Sequence, residues 1–581
     1  MVAEFHASPA TAEVAAARTS LRWASRWRAA AAVALSVLCG AILAIPFRSY
    51  EGSGPVWFAL APVMALAANA RSRRRAALYA SAFALTWTWL CLSFLWNPAA
   101  PGAIALSIFS SLFYVIGLLI VRRVARDGPM PAVIGIGCVW VLIEVARSLV
   151  PVFGFPWLLL GHTLLYDPHL RQGADIFGVY GLSFIIAAVN ACLAFAFPLV
   201  LPARAAGLLS IHGLPVPHKL RLSAWRALSV TASLVLGAFC YGVLRCEQIG
   251  PRLAPGARIG VVQGNVVQKL NRSDDEVTAQ LIQHIELHRK LLSEAAASGS
   301  GMPELVCWAE TMVPNVFNNG VWGQKFMEFV ASTGIPAITG SNYVPPEDVE
   351  KPPGQQRIYN AAFLIDGQGH EVFHAFKRKL VAFGEYVPFT QWLPLLKSLR
   401  SVTLDQYSAG TEASPVREVA GYRIAFNVCV EDIHPDIARE LSYAGADTLI
   451  NITNDGWFYK TYGPQAHLRA AAWRAIEVRR PLLRVTNTGM TVAVDPLGHI
   501  DVLVPPETEG TAIAQLQRIR STASLSINRE SGVGSGAENV SPFAAPRTIY
   551  MVTGEVGVGL IFISILFGCL WIGAQNPPEN L

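Results

Sequence analysis

One cysteine stands where a nucleophile would be delivered. In YRIAFNVCVED (422–432) an apolar run brings Cys429 to a polar turn, followed at once by Val430, Glu431 and Asp432. On the strand alone, a buried structural thiol is the commoner outcome. ELVCWAE (304–310) runs out in the same way into Glu310, ahead of Thr311 and Pro314. By itself that residue reads better as a solvated carboxylate at a strand end. In FKRKLVAFGEYVPF (376–389), Lys377, Arg378 and Lys379 fit a solvated basic edge, but Glu385 lies among aromatics, Gly384 and Pro388. A carboxylate in such surroundings is desolvated unless paired, so a cation is expected beside it. Together these make a Glu–Lys–Cys set, with Glu310, Lys377 and Cys429 each at or just beyond a strand edge. A strand end that delivers Cys429 to a polar turn is a position for a thiol nucleophile.

Other chemistries find less support. His284 and His288 are one helical turn apart, but the sequence is HIELH rather than HExxH. Both lie on an apolar stripe and are expected to be core histidines, so no metal is expected. No Walker loop, no GxGxxG opening a helix and no GxSxG is present, and no cofactor is expected.

The elements that must carry these residues form an α/β domain from about residue 247 to 520. Strands are expected at 259–265, 304–310, 335–341, 359–366, 371–376, 422–432 and 447–453, with two closing strand segments. Helices are expected at 274–298, 323–332, after 432 and over 465–478. The first carries a stripe of Val277, Leu281, Ile285, Leu292 and Ala295. Strands alternating with helices and ending in antiparallel hairpins imply a mixed sheet. The segments 344–357, Pro-rich and charged, and 521–546, rich in Ser and Gly, read as linkers.

The rest of the chain is of another kind. Of 581 residues, 52% are hydrophobic and only 15% charged, against about 25% charged in a typical soluble protein. Mean hydropathy is +0.39. This excludes a disordered chain or a coiled coil. Seven apolar runs long enough to cross about 30 Å of hydrocarbon fall at 30–47, 54–70, 76–97, 103–121, 131–151, 177–202 and 226–245, and an eighth at 552–574. The expected divisions are a tail over 1–29, a seven-helix membrane domain over 30–246, the α/β domain over 247–520, a return linker over 521–551 and a closing span over 552–574. Fifteen Lys and Arg, among them Arg18, Arg73, Arg122 and Lys219, fall in alternate connecting segments. That asymmetry puts both termini in the cytoplasm and the α/β domain on the outer face. Those segments carry a net charge of +12, so the remainder of a chain whose net charge is +6 is acidic. The basic balance is a topology signal, and no nucleic-acid partner is expected. Of nine cysteines, only Cys246, Cys307 and Cys429 fall outside the spans, with no CxxC.

The Glu–Lys–Cys order resembles the nitrilase, or carbon–nitrogen hydrolase, superfamily. With seven spans before it and one after, the chain is similar to the apolipoprotein N-acyltransferases within it. The likeness covers nearly the whole chain: Glu144, Arg147 and GFPW (154–157), then VVQGN (261–265), WAET (308–311), YN (359–360), Lys377 with FGEYVP (383–388), CxE (429–431), NDGWF (454–458), GPQAHLRAAAWRAIEVRRPLLRVTNTG (463–489) and RTIY (547–550). The chain departs from the family pattern at Ala309, where Pro is frequent, and at Val430, where an aromatic is frequent.

The resemblance implies a helical membrane bundle joined to an αββα sandwich. It implies Cys429 as nucleophile, Glu310 as base, Lys377 as the ammonium that favours the thiolate and stabilises oxyanions, and Glu385 and Glu431 as supporting acids. It also implies a bacterial inner-membrane enzyme. That enzyme would move an acyl chain from a phospholipid, phosphatidylethanolamine, through a thioester to the α-amine of an S-diacylglyceryl-cysteine apolipoprotein. The three residues by themselves also suit a membrane-anchored amidase that uses water. FTQWLPLLKSLRSV (389–402) is apolar with two basic residues. It reads equally as a lipid-admitting arm or as a helix packed on the domain.

Overall fold

A computed structural model describes residues 9–49, 52–200, 218–269, 272–299, 301–352, 354–390, 392–395, 407–520 and 547–575. The expected return linker over 521–546, most of the 389–402 segment and the connection over 201–217 lie outside the described residues.

The chain opens on α1 (Pro9–Arg48), α2 (Ala61–Asn69), α3 (Arg73–Leu92), α4 (Trp96–Val124), α5 (Pro129–Leu149), α6 (Ala174–Phe195) and α7 (His218–Ile249). The segment expected as a tail over 1–29 is therefore helical from Pro9. Among the described residues, seven helices are long and apolar enough to cross a membrane, six before the α/β domain and one after it. The remaining N-terminal apolar helix, expected as a full span over 54–70, covers only Gly54–Asn69. At 1.5 Å per residue it is the shortest of the seven apolar helices that precede the α/β domain, with one more following it. It is also broken, with a 3-10 turn over Gly54–Trp57 preceding α2. Asn190 of α6, fully buried, seals the break. Its Oδ1 accepts from the backbone N–H of Leu60 and Ala61 at 2.9 and 3.0 Å, and its Nδ2 donates to Val56 O at 2.8 Å. Backbone groups in apolar surroundings must find such partners within the protein.

The α/β domain is two six-stranded sheets face to face. One has β1 (Leu253–Gln263), β2 (Leu305–Trp308), β3 (Ala337–Tyr343), β4 (Tyr359–Ile365) and β5 (Glu371–Phe376). The other has β6 (Arg417–Val419), β7 (Tyr422–Val428), β8 (Thr448–Thr453), β9 (Leu482–Thr486), β10 (Thr491–Val494) and β11 (Ile500–Val504). The last strand, β12 (Gly510–Ile519), returns to pair antiparallel with β1. The orders are β12-β1-β2-β3-β4-β5 and β11-β10-β9-β8-β7-β6. The inner strands β1–β2–β3 and β7–β8–β9 run parallel. The mixed character expected from the sequence is thus split over two sheets.

α8 (Asp274–Ser298) starts on a Ser273–Glu276 capping box, and its apolar stripe and α9 (Val321–Thr333) cover the first sheet. α10 (Pro435–Tyr443), α11 (Gly463–Ala471) and α12 (Trp473–Val478) cover the second. α13 (Ile549–Gln575) then closes the bundle. The period of two along a strand sorts the second sheet's side chains. Ile424, Phe426 and Val428 of β7 pack between the sheets, with Phe426 stacked on Phe373 at 5.1 Å. Ala425, Leu449 and Leu482 point the other way, into one continuous core with α10–α12 and the membrane helices.

Two expectations change in detail. The strand expected over 422–432 stops at Val428, and Cys429–Ile433 is a 3-10 turn. The cause is Glu431, whose carboxylate folds back to accept from Val428 N–H at 2.8 Å. The expected linker over 344–357 is tied down at Asp348, which is fully buried and accepts from Arg357 Nε at 2.6 Å.

Candidate functional site

The parallel strands end in one direction, and the residues just past their ends meet. Glu310 lies two residues beyond β2, and Lys377 directly follows β5. Lys377 Nζ is 3.4 Å from Glu310 Oε1 and 2.7 Å from Glu385 Oε1, and its side chain is 1% exposed. Burial alone would lower the ammonium's pKa. Instead Cys429, Glu310 and Glu385 around it outweigh burial and hold the charge firmly. Glu385 reaches back because its Oε2 accepts from Val381 N–H at 2.8 Å, closing the 381–386 turn.

Two further groups define Glu310. Asn360, at the start of β4, donates from Nδ2 to Glu310 Oε1 at 2.6 Å. Asn454, just past β8, donates its backbone N–H to Oε2 at 2.8 Å. Both oxygens are therefore aimed. YN and NDGWF are quoted above as family motifs, without a role for either asparagine. The signal available is an amide at the mouth of an apolar strand, where a polar group needs a partner.

Cys429 opens the 3-10 turn with φ +53°, a left-handed conformation that costs a non-glycine residue about 1–2 kcal/mol. The turn is held from two sides. Asn451 Nδ2 donates to Cys429 O at 3.0 Å. Glu431 Oε1 accepts from the backbone N–H of Arg378 and Lys379 at 2.7 and 3.2 Å. Glu431 thereby ties the cysteine turn to the lysine loop. Burial pushes the Cys429 thiol above its ordinary range, and Glu310 pushes the same way. Lys377 opposes both and does not win.

Beside the cysteine lies a cavity of about 370 Å³. Val430 forms part of its wall, with Val381 and Phe383 of the loop after β5, Ala103 and Leu106 of α4, and Phe153 and Phe155 of the loop after α5. That last loop is pinned by Arg147, which donates to Phe155 O at 2.9 Å and also to Trp157 O. The cavity therefore joins the membrane helix ends to the residue after Cys429. His284 and His288 lie elsewhere, fully buried against Trp308, whose Nε1 donates to His288 Nδ1 at 3.3 Å.

Comparison with known proteins matches both halves. Residues 39–192 match the apolipoprotein N-acyltransferase N-terminal domain and 258–524 the carbon–nitrogen hydrolase family. The chain is 30% identical over 485 residues to an apolipoprotein N-acyltransferase of Geobacter metallireducens, covering 81% of this chain and 86% of that one. It is 31% identical over 416 residues to one of Pseudomonas putida, covering 70% and 74%. An amidase from Nesterenkonia sp. aligns with 48% of this chain and 97% of its own, at 17% identity and a TM-score of 0.32. The relatives cover membrane bundle and sandwich alike, and the chain belongs to the apolipoprotein N-acyltransferase family.

Proposed function

We propose that the chain transfers an acyl chain from a membrane phospholipid to the N-terminal α-amine of a diacylated apolipoprotein, through a thioester on Cys429. The carrying observation is the cavity, walled by membrane helix ends on one side and by Val430 on the other. A soluble amide would not need such a wall, whereas an acyl chain drawn from the bilayer would.

In the first step the Cys429 sulfur attacks the sn-1 ester carbonyl while Glu310 takes the thiol proton. The oxyanion forms beside Lys377, whose charge is held without reorganisation. Collapse breaks the C–O bond, and the lysophospholipid alkoxide leaves with the proton from Glu310. In the second step the acceptor amine attacks the thioester carbonyl and Glu310 takes the amine proton; the C–S bond then breaks and Glu310 passes that proton to the sulfur, restoring the thiol and the free carboxylate. Splitting one difficult transfer into two lowers each barrier. Phosphatidylethanolamine is the donor read from the family resemblance. A bacterial inner-membrane location follows from the family resemblance, and the basic residues of alternate connections support the site on the outer face and both termini inside.

The test is the full chain in phosphatidylethanolamine vesicles with a diacylated lipopeptide. The expected products are a Cys429 acyl adduct, seen by mass spectrometry when the peptide is withheld, and a triacylated peptide when it is supplied. Release of free fatty acid without triacylated peptide, or an unchanged reaction in Cys429→Ala, overturns the proposal.

A further inference from the structure

Directly behind the cysteine turn lies a cluster of four charged side chains that the steps above do not use. Asp432 is in the turn itself, Asp455 follows β8, His467 is on α11 and Arg484 is on β9. All four are buried, at most 2% exposed. His467 Nε2 is 2.8 Å from Asp432 Oδ1, and its Nδ1 is 2.8 Å from Asp455 Oδ1. Arg484 Nε donates to Asp432 Oδ2 at 3.0 Å, and its two Nη groups reach Asp455 Oδ2 at 3.1 Å. Arg484 Nη2 also lies 2.8 Å from His467 Nδ1.

Electrostatics sets the charge state. Two carboxylates against one guanidinium would leave a buried net charge, which is costly. A protonated His467 makes the group neutral, with Nε2–H given to Asp432 and Nδ1 set between Asp455 Oδ1 and Arg484 Nη2. In line with this, burial works against the imidazolium but Asp432 and Asp455 outweigh it and raise its pKa. Arg484 and His467 together hold Asp455 down to about 2.

The cluster also has a second contact surface. The ring of Trp157, in the pinned loop after α5, lies over His467 at 5.5 Å. Phe94 packs on Trp157 at 5.3 Å, and Phe458 packs on Phe94 at 5.2 Å. So the same imidazole touches Trp157, whose ring stacks at 4.9 Å on Phe155 of the cavity wall, and, through Asp432, the turn bearing Cys429. Resting on the reading of Cys429 as nucleophile, we propose that Asp432, Asp455, His467 and Arg484 form a neutral clasp that registers the Cys429 turn against the cavity wall, with His467 as its positioning residue.

Removing one charge strands the others, so the test removes one of each sign. In the double variant Asp455→Asn/His467→Gln the Asp432–Arg484 pair remains. The control is Asp175→Asn/Arg479→Gln, which breaks another buried pair, 2.7 Å apart and outside this cluster. Full-length proteins in vesicles are compared by thermal unfolding, by the rate of Cys429 alkylation with iodoacetamide, and by donor KM and kcat. A displacement of about 1 Å at a reacting atom costs on the order of 10²-fold. The clasp variant is expected to lose that much in kcat and to change its alkylation rate at least tenfold, at unaltered donor KM, while the control changes neither rate. Alkylation and kcat within threefold of the control overturn the clasp, as does a loss carried wholly by KM. Alkylation needs no acyl chemistry, so it judges the clasp even if wild-type protein forms no Cys429 adduct. That last result overturns the nucleophile reading instead.

Discussion

Asn360→Ala tests whether the carboxylate beside Lys377 works as a base whose aim matters. The substitution deletes a 2.6 Å bond to Glu310 Oε1 and a longer approach, 3.4 Å, to Glu385 Oε1. Glu310 keeps the backbone N–H of Asn454 and the more distant Lys377. A hydrogen bond to a charged group contributes about 1.5–3 kcal/mol. If all of it is felt when the proton moves, kcat falls roughly 10- to 150-fold. Asn360 is not part of the cavity wall, so KM for the phospholipid should hold within about twofold. Single-turnover acylation of Cys429 in vesicles separates this step from aminolysis, and it should slow by the same factor. A kcat within twofold of wild type, or a loss appearing as a raised KM, would refute the assignment of Glu310 as an aimed base.

Lys377→Met leaves Glu310 and Glu385 facing each other across a buried site without their shared cation. Acyl transfer should fall by about 10³-fold, and retention of a tenth of wild-type turnover would rule out an electrostatic role. Asn190→Leu strands the N–H of Leu60 and the carbonyl of Val56, while the Ala61 N–H keeps its bond to Phe58 O at 3.1 Å. Unfolding in detergent should show a loss of about 3 kcal/mol, and an unchanged unfolding midpoint would mean the helix break is sealed some other way. Asp455 is held to about 2 against an ordinary 3.8. Its folded pKa is depressed, so its contribution is complete above about pH 4 and fades as pH falls toward 2, amounting to about 2 kcal/mol. Asp455→Asn should flatten the wild-type fall in stability over that window, and parallel stability curves would show that Asp455 is not the group lost.

Period and length carried most of the architecture, and pairing chemistry carried the rest. The apolar runs, the stripe of 274–298 and the short strands are visible because burial repeats along the chain at 3.6 or 2 residues. Residues 54–69 escape that logic. Their composition is that of a span, but the helix breaks because Asn190, more than a hundred residues away, offers the backbone other partners. The end of β7 is hidden for a similar reason, since Glu431 draws the chain out of the sheet after Val428. Glu310, Lys377 and Cys429 stand out as charges or a thiol at apolar strand ends, and Glu385 as a carboxylate among aromatics. Asn360, Asn451 and the charged cluster around His467 do not, since a polar residue inside a motif declares its partner only when strands and helices are stacked.

The stacking also divides the labour between the two sheets. Glu310, Asn360 and Lys377 come from the first sheet, and Cys429, Asn451 and Asn454 from the second. The 3.4 Å separation of Lys377 and Glu310 is internal to one sheet, whereas the placement of the Cys429 sulfur against Glu310 depends on the packing between the two sheets. Among the described residues the second sheet, through α10–α12, shares the main core of the membrane helices, whereas the strands of the first sheet meet α7 at the small cluster of Ile249, Leu253 and Ile519. A membrane-side shift would therefore move the cysteine turn with the α4 and α5 side of the cavity wall, and leave the Glu310–Lys377 pair and the Val381–Phe383 side behind. Glu431 is the link that opposes such a shift, because it accepts N–H groups from Val428 on one sheet and from Arg378 and Lys379 beyond the other. Its carboxylate spans the seam where the two halves of the site must agree. This gives a physical reason for an acid two residues after the cysteine that need not touch the reacting atoms.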